Sequence, residues 1–145
     1  MEPIGYVKRL SKFEDVKDET LECDIIIYER FLDALEGIES FSHIFVIYWL
    51  HLVSEDSRRI YKVHPKGKRD LPLVGVFSTR SPNRPNPIGL TLVELLARRS
   101  NILTVRGLDA LDETPVLDLK PYSRHDKAEN FKAPDWWGGK LQLKL

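Results

Sequence analysis

Short apolar runs separated by polar or proline-containing turns dominate the chain, and this pattern predicts mostly β structure. Pro3 to Val7 reads as a first strand and the isoleucine-rich segment Cys23 to Tyr28 as a second. Arg30 to Leu35 has the composition of a short helix, ended by Gly37. His43 to His51 is a long apolar strand carrying Phe45, Val46, Ile47, Tyr48 and Trp49, and its unbroken run predicts burial on both faces. Leu73 to Phe77 reads as a further strand. Leu90 to Leu96 and Ile102 to Val105 form a hairpin around Arg98 to Asn101, and Val116 to Leu119 follows. Leu141, Leu143 and Leu145 alternate with polar residues, as in a half-buried strand. So many short strands expose many edges. A closed or nearly closed barrel hides them, so the expected architecture is a small single-domain β-barrel over residues 1–145 with a few short helices.

Composition narrows the classes of function. At 145 residues, 42% hydrophobic and 30% charged, the chain can bury a core, and disorder is not expected. Its net charge of +0 gives no global attraction to nucleic acid, so RNA affinity would need a local patch. Such a patch is present: Arg58, Arg59, Lys62, Lys66, Lys68 and Arg69 fall in one stretch without an acid. Phosphate contact is its natural use, and a solvated loop is the plain alternative. Cys23 is the only cysteine, which rules out an intrachain disulfide or a cysteine-rich zinc site and fits a reducing cytoplasm. His43, His51, His64 and His125 lack compact ligand spacing, so no metal site is expected. The N-terminus has no apolar signal core, and Ile44 to Leu50 is too short to span a bilayer; the expected location is the cytoplasm, without membrane attachment. Walker A, GxGxxG and GxSxG patterns are absent, which disfavours a Rossmann-type nucleotide site.

Two segments carry the densest chemistry. Gly75 to Thr91, GVFSTRSPNRPNPIGLT, holds Pro82, Pro85 and Pro87, each of which stiffens the residue before it. Arg80, Asn83, Arg84 and Asn86 then offer charged and amide groups in a narrow space, as a polar ligand would require, or as a rigid surface turn would tolerate. Leu108 to Tyr122, LDALDETPVLDLKPY, places Asp109, Asp112 and Asp118 near a strand, followed by Lys120 and Tyr122. Turn aspartates accept ligand hydroxyls or simply form Asx turns. On regular strand alternation Asp118 shares a face with Val116 and opposes Leu117 and Leu119, so it would need a cationic partner such as Lys120 if that face is core.

These segments, with GIESFSHIFVIYWLH (Gly37 to His51) and the opening PIGYV (Pro3 to Val7), resemble the TsaA-like (YaeB-like) family, whose characterised members are TrmO-type tRNA methyltransferases. The resemblance implies a β-barrel rather than a Rossmann sheet, and a homodimer binding S-adenosylmethionine near the subunit interface. It implies methylation of N6 of threonylcarbamoyladenosine, beside the anticodon in the tRNA anticodon loop. Carried over by motif, the cofactor contacts are His51, Leu52, Arg80, Leu90, Asp109, Ala110, Leu111 and Asp112. Asn83, Arg84 and Asn86 border the same site. With Lys120 they make up the implied substrate contacts, to which the basic run adds Lys66 and Lys68 as phosphate candidates, while Asp118 and Tyr122 are the implied catalytic residues. Trp136 and Trp137 either stack bases or cap the core. Relatives commonly carry glycine where Glu113 stands, and a positive φ there would be costlier for glutamate. They also often have a longer cofactor-holding loop where this chain has the acidic stretch Phe13 to Asp24, to which no contact is assigned. Two other functions remain open: an S-adenosylmethionine-binding regulator without catalysis, and a methyltransferase with a non-tRNA substrate.

Overall fold

A computed structural model describes residues 1–9 and 18–137. Eight strands are present among them: β1 (Gly5–Lys8), β2 (Glu22–Ile27), β3 (His43–Trp49), β4 (Lys62–Val63), β5 (Val74–Gly75), β6 (Ile88–Arg99), β7 (Ile102–Arg106) and β8 (Pro115–Pro121). Six of them close a barrel in the order β1-β2-β7-β6-β3-β8. Every pairing is antiparallel, and β8 closes on β1 through Val116 opposite Gly5. The mostly β barrel with short helical turns expected from the apolar pattern is therefore the observed fold. No helix of the described residues is long and apolar enough to cross a membrane.

Alternation fills the interior. Inward positions Val7, Cys23, Ile25, Ile27, Ile44, Val46, Tyr48, Val93, Leu103, Val105 and Val116 are all buried and form one cluster. A register irregularity between Leu95 and Ala97 bends the long β6, so that its first half pairs with β3 and its second with β7. Barrel closure also requires glycine at position 5. A Cβ built there would lie 2.1 Å from the Ile26 carbonyl oxygen and 2.9 Å from the Ile27 Cα, both backbone atoms that no side-chain rotation can move aside.

Three expectations need correction. The β3 run is not buried on both faces within the chain: Ile44, Val46 and Tyr48 point inward and are buried, whereas Phe45, Ile47 and Trp49 on the outer face are only half-buried. Leu73 to Phe77 is a strand only at Val74–Gly75; among the described residues it pairs solely with β4 in a two-stranded ribbon outside the barrel, and the chain then turns in a 3-10 helix at Val76–Ser78. With no second neighbour to extend the ladder, the strand ends early. Third, Asp118 does not share a face with Val116. Val116 pairs with Tyr48 and Asp118 with Ile47, so Leu117 is an extra residue and the alternation slips by one. The helix expected at Arg30 to Leu35 is a 3-10 helix over Glu29–Leu35, followed by a left-handed Gly37 with φ of 91°. The strand expected at Leu141 to Leu145 lies outside the described residues.

Candidate functional site

The C-terminal end of β3, the N-terminal end of β6 and the segment after β7 meet at one mouth of the barrel. Tyr48 is the inward residue of β3 at this end, and Gly89 opposite it leaves room for the phenol ring; a Cβ on Gly89 would lie 2.3 Å from that ring. The Tyr48 hydroxyl donates to Asp109 Oδ1 at 2.8 Å, and Thr91 Oγ1 donates to the same oxygen at 2.6 Å. The two hydroxyls lie 2.9 Å apart. Asp109 itself is exposed. One carboxylate oxygen is thus held from below by two hydroxyls while the group faces outward.

Burial, with the Asp109 carboxylate beside it and Arg80 opposing, pushes the Tyr48 phenol far above its ordinary range. It stays a neutral donor at any physiological pH. Tyr48 feels the charge of Arg80, which puts the first arginine of the proline-rich loop at this mouth. Arg80 is exposed, with its guanidinium 5.9 Å from the centre of the Trp137 ring.

The loop from Leu108 to Thr114 is anchored from β1. Arg9, buried, donates through Nη2 to the Leu108 carbonyl and to Cys23 Sγ, and its backbone N–H donates to Asp112 Oδ1 at 2.9 Å. Glu113 N–H reaches the Val7 carbonyl at 2.7 Å. Glu113 adopts φ of 66°, so the turn forms with a glutamate in the left-handed conformation that glycine takes more easily. Ala110 is buried beneath this loop, while Asp109 and Asp112 are exposed. Burial pushes the Cys23 thiol up, against the opposing pull of Arg9, so it is held as a thiol rather than a nucleophile.

The proline-rich loop is built by its own short-range bonds. Thr79 Oγ1 donates to the Val76 carbonyl, Ser81 N–H donates to Thr79 Oγ1, and Asn83 N–H donates to Ser81 Oγ. Arg84 donates to the carbonyls of Thr79 and Ser81. Arg58, from the basic run, donates to the Pro85 carbonyl at 2.7 Å and covers the Trp49 ring, so that end of the run is docked rather than solvated. Leu50 N–H donates to the Pro87 carbonyl, which ties His51 and Leu52 to the end of this loop. Lys66 and Lys68 are exposed on the outer ribbon, with Lys66 at φ of 55°.

Leu90 belongs to a different surface. On the outer face of the barrel it pairs with Ile47, which pairs in turn with Asp118. The extra residue at Leu117 therefore places Asp118 in one row with Leu90, about 10 Å away across two strand spacings. Asp118 Oδ2 lies 3.3 Å from Lys120 Nζ. Tyr122 sits further along, its ring edge-on to Phe45 at 5.8 Å. The structure thus gathers His51, Leu52, Arg80 and Asp109 to Asp112 at the mouth, and sets Leu90, Asp118, Lys120 and Tyr122 on the adjoining outer face. Tyr48, Thr91 and Arg9 are site residues that sequence reasoning missed. Thr91 was within the conspicuous loop motif, but Tyr48 read as an ordinary strand position and Arg9 lay just past the first expected strand.

Away from this mouth, a cavity of about 500 Å³ lies under the 3-10 helix Glu29–Leu35 and is lined mainly by Ile4, Ile27, Phe31, Leu35 and Leu119. Of the candidate cofactor, substrate and catalytic residues, Asp118 is the one that lines it. Among the described residues no three His, Cys, Asp or Glu side chains gather as metal ligands would.

Comparison with known proteins gives a consistent picture. Residues 14–127 match the family described as the tRNA-methyltransferase O N-terminal domain. A protein of Methanothermobacter thermautotrophicus named "Probable S-adenosyl-L-methionine-binding protein" is 58% identical over 101 residues, covering 70% of this chain and 69% of that protein. The "S-adenosyl-L-methionine-binding protein" of Archaeoglobus fulgidus is 43% identical over 133 residues, covering 85% of this chain and 88% of that one. Among solved structures, a crystal structure of TrmO superposes with a TM-score of 0.72 at 29% identity, over 93% of this chain and 62% of that chain. TrmO from Pseudomonas aeruginosa gives 0.70 at 30% identity, over 92% and 60%. The chain therefore spans about 60% of the length of the solved TrmO structures it matches.

Proposed function

This chain belongs to the tRNA-methyltransferase O N-terminal domain family, and from that membership we propose that it binds S-adenosylmethionine and transfers the methyl group to tRNA. The observation that carries the reading is the mouth itself: an outward carboxylate, Asp109, fixed by Tyr48 and Thr91, with the charge of Arg80 felt at Tyr48.

The donor set fits the cofactor. Among the described residues the side-chain bonds to Asp109 fall on Oδ1, which leaves Oδ2 to accept from an ammonium or ribose hydroxyl. Arg80 suits the carboxylate of the amino-acid moiety and the exposed Leu52 suits the purine, with Leu90 on the adjoining outer face. The cofactor, when bound, supplies an electrophilic methyl group on a positively charged sulfonium. The residues' task is to hold an acceptor nitrogen in line and to keep water out. Asp118, in the Leu90 row and 3.3 Å from Lys120 Nζ, is the carboxylate that would take the acceptor's proton, with Tyr122 bordering the base. Asn83, Arg84 and Asn86 line the approach.

The finer reading is methylation of N6 of threonylcarbamoyladenosine in the anticodon loop by a homodimer. The outer face supports the second copy: Ile88, Leu90 and Leu92 are 36%, 49% and 42% exposed, beside the half-buried Phe45, Ile47 and Trp49. A contiguous apolar surface of this kind marks an interface, and one built over it would join the mouth to the Asp118 row.

Two measurements test the proposal. Purified tRNA incubated with the chain and labelled cofactor should acquire label in a modified adenosine, identified by nucleoside mass spectrometry. Cofactor binding without transfer to any RNA would instead make the chain a regulator, and label in a small molecule or protein would move the substrate elsewhere. Arg80→Ala should weaken cofactor binding by about 1–3 kcal/mol in calorimetry, the usual cost of losing a charge-assisted bond, and should leave melting unchanged. Unaltered affinity would remove Arg80 from the site.

A further inference from the structure

Phe77 is 79% exposed, yet it stands on one of the more tightly built turns of the chain. Its neighbours Val76 and Thr79 are buried, and Thr79 closes the 3-10 turn with both its N–H and its hydroxyl on the Val76 carbonyl. A large apolar ring held outward on a rigid turn is neither core nor loose surface. Arg84 lies over it, guanidinium carbon 6.0 Å from the ring centre, and is itself fixed by the carbonyls of Thr79 and Ser81 at 3.2 and 2.9 Å. Tyr61, 64% exposed, adjoins through its carbonyl, which accepts the Val76 N–H. Lys62 follows it within the basic run, and the first acid after that run is Asp70. The same surface thus combines a preordered aromatic platform, a fixed planar cation and an excess of positive charge.

Resting on the RNA reading above, we propose that Phe77 is a stacking platform for an unpaired nucleobase of the substrate RNA, the base lying on the ring face opposite Arg84 and the lysines of the basic run on the flanking phosphates. Splayed bases are recognised on aromatic faces and guanidinium planes, and the phosphates between them by scattered cations. A fixed ring spares the ordering cost that a mobile one would incur on binding.

The test compares tRNA binding and steady-state methylation for wild type, Phe77→Ala, Phe77→Trp and the double variant Lys66→Ala/Lys68→Ala. Phe77→Ala should raise the tRNA Kd and KM by roughly tenfold or more, with kcat at saturating tRNA and cofactor affinity unchanged. Phe77→Trp should restore binding. The slope of log affinity against log salt should stay the same in Phe77→Ala, because a neutral ring releases no counterion. In the lysine double variant it should become shallower by about 0.7–0.9 for each lost phosphate contact. Unchanged tRNA affinity in Phe77→Ala, while wild type still methylates tRNA, overturns the platform and leaves the proposed activity standing. Loss of cofactor affinity or of the dimer in Phe77→Ala also overturns it, by making Phe77 a subunit contact. A wild-type chain that neither binds nor methylates tRNA removes the activity and the platform together.

Discussion

Gly5→Ala is expected to destabilise the fold by about 3 kcal/mol or more, enough to lower Tm by roughly 10 °C. The added methyl would meet the Ile26 carbonyl oxygen at 2.1 Å and the Ile27 Cα at 2.9 Å. Relief therefore requires β1 to move off β2, and β1 is also the strand through which the barrel closes onto β8. The same substitution at Gly75 is the matched control. There the nearest atom to an added Cβ is the Tyr61 carbonyl oxygen at 3.9 Å, and stability should change by no more than about 0.5 kcal/mol. Urea or thermal unfolding of the two variants checks both. Equal midpoints would mean that β1 and β2 are free to separate by the ångström or so that the added methyl requires, and that closure at Gly5 is not tight.

Asp109→Asn should leave the fold standing and weaken cofactor binding by about 1.5–3 kcal/mol, a factor of roughly 10 to 150. The amide keeps an acceptor for the Tyr48 and Thr91 hydroxyls but loses the charge that faces the ligand. Asp109→Ala should show the same binding loss together with a lower melting temperature, because Tyr48 is buried and its hydroxyl would lose a charged acceptor. Tyr48→Phe keeps the ring that Gly89 accommodates and removes one of the two bonds to the carboxylate, so its binding loss should fall below that of Asp109→Asn. Titration calorimetry with S-adenosylmethionine, run beside melting curves, separates these effects. Wild-type affinity in Asp109→Asn would show that the carboxylate serves the loop and not the ligand.

Much of the fold was legible from the amino-acid order. Alternation of apolar and polar residues is a local property, and it located β2, β6, β7 and β8 to within a few residues because a strand buries every second side chain wherever it ends up in the sheet. The motif residues at the mouth were legible too, since they occur in a few dense segments: Arg80 in the proline-rich loop, Asp109 to Asp112 in the turn after β7. Glu113 is a case where a local expectation carried through, with the positive φ expected to be costly for it present in the structure.

What the tertiary structure alone decided depends on which residues are brought opposite one another. Tyr48 and Asp109 are 61 positions apart, and only closure of β3 against β6 turns an unremarkable strand tyrosine into the support of a carboxylate. Arg9 anchors the same turn from 103 positions away at Asp112. The face of Asp118 depended on a single extra residue in β8, because one slip in register inverts every later side chain, and a bulge is a feature of the pairing rather than of either strand. Likewise nothing local distinguished Leu73 to Phe77 from a core strand. Among the described residues its only partner is the two-residue β4, so the chain turned early and left Phe77 outside. Local patterning sets which residues seek burial; the count and placement of neighbouring strands sets which of them find it.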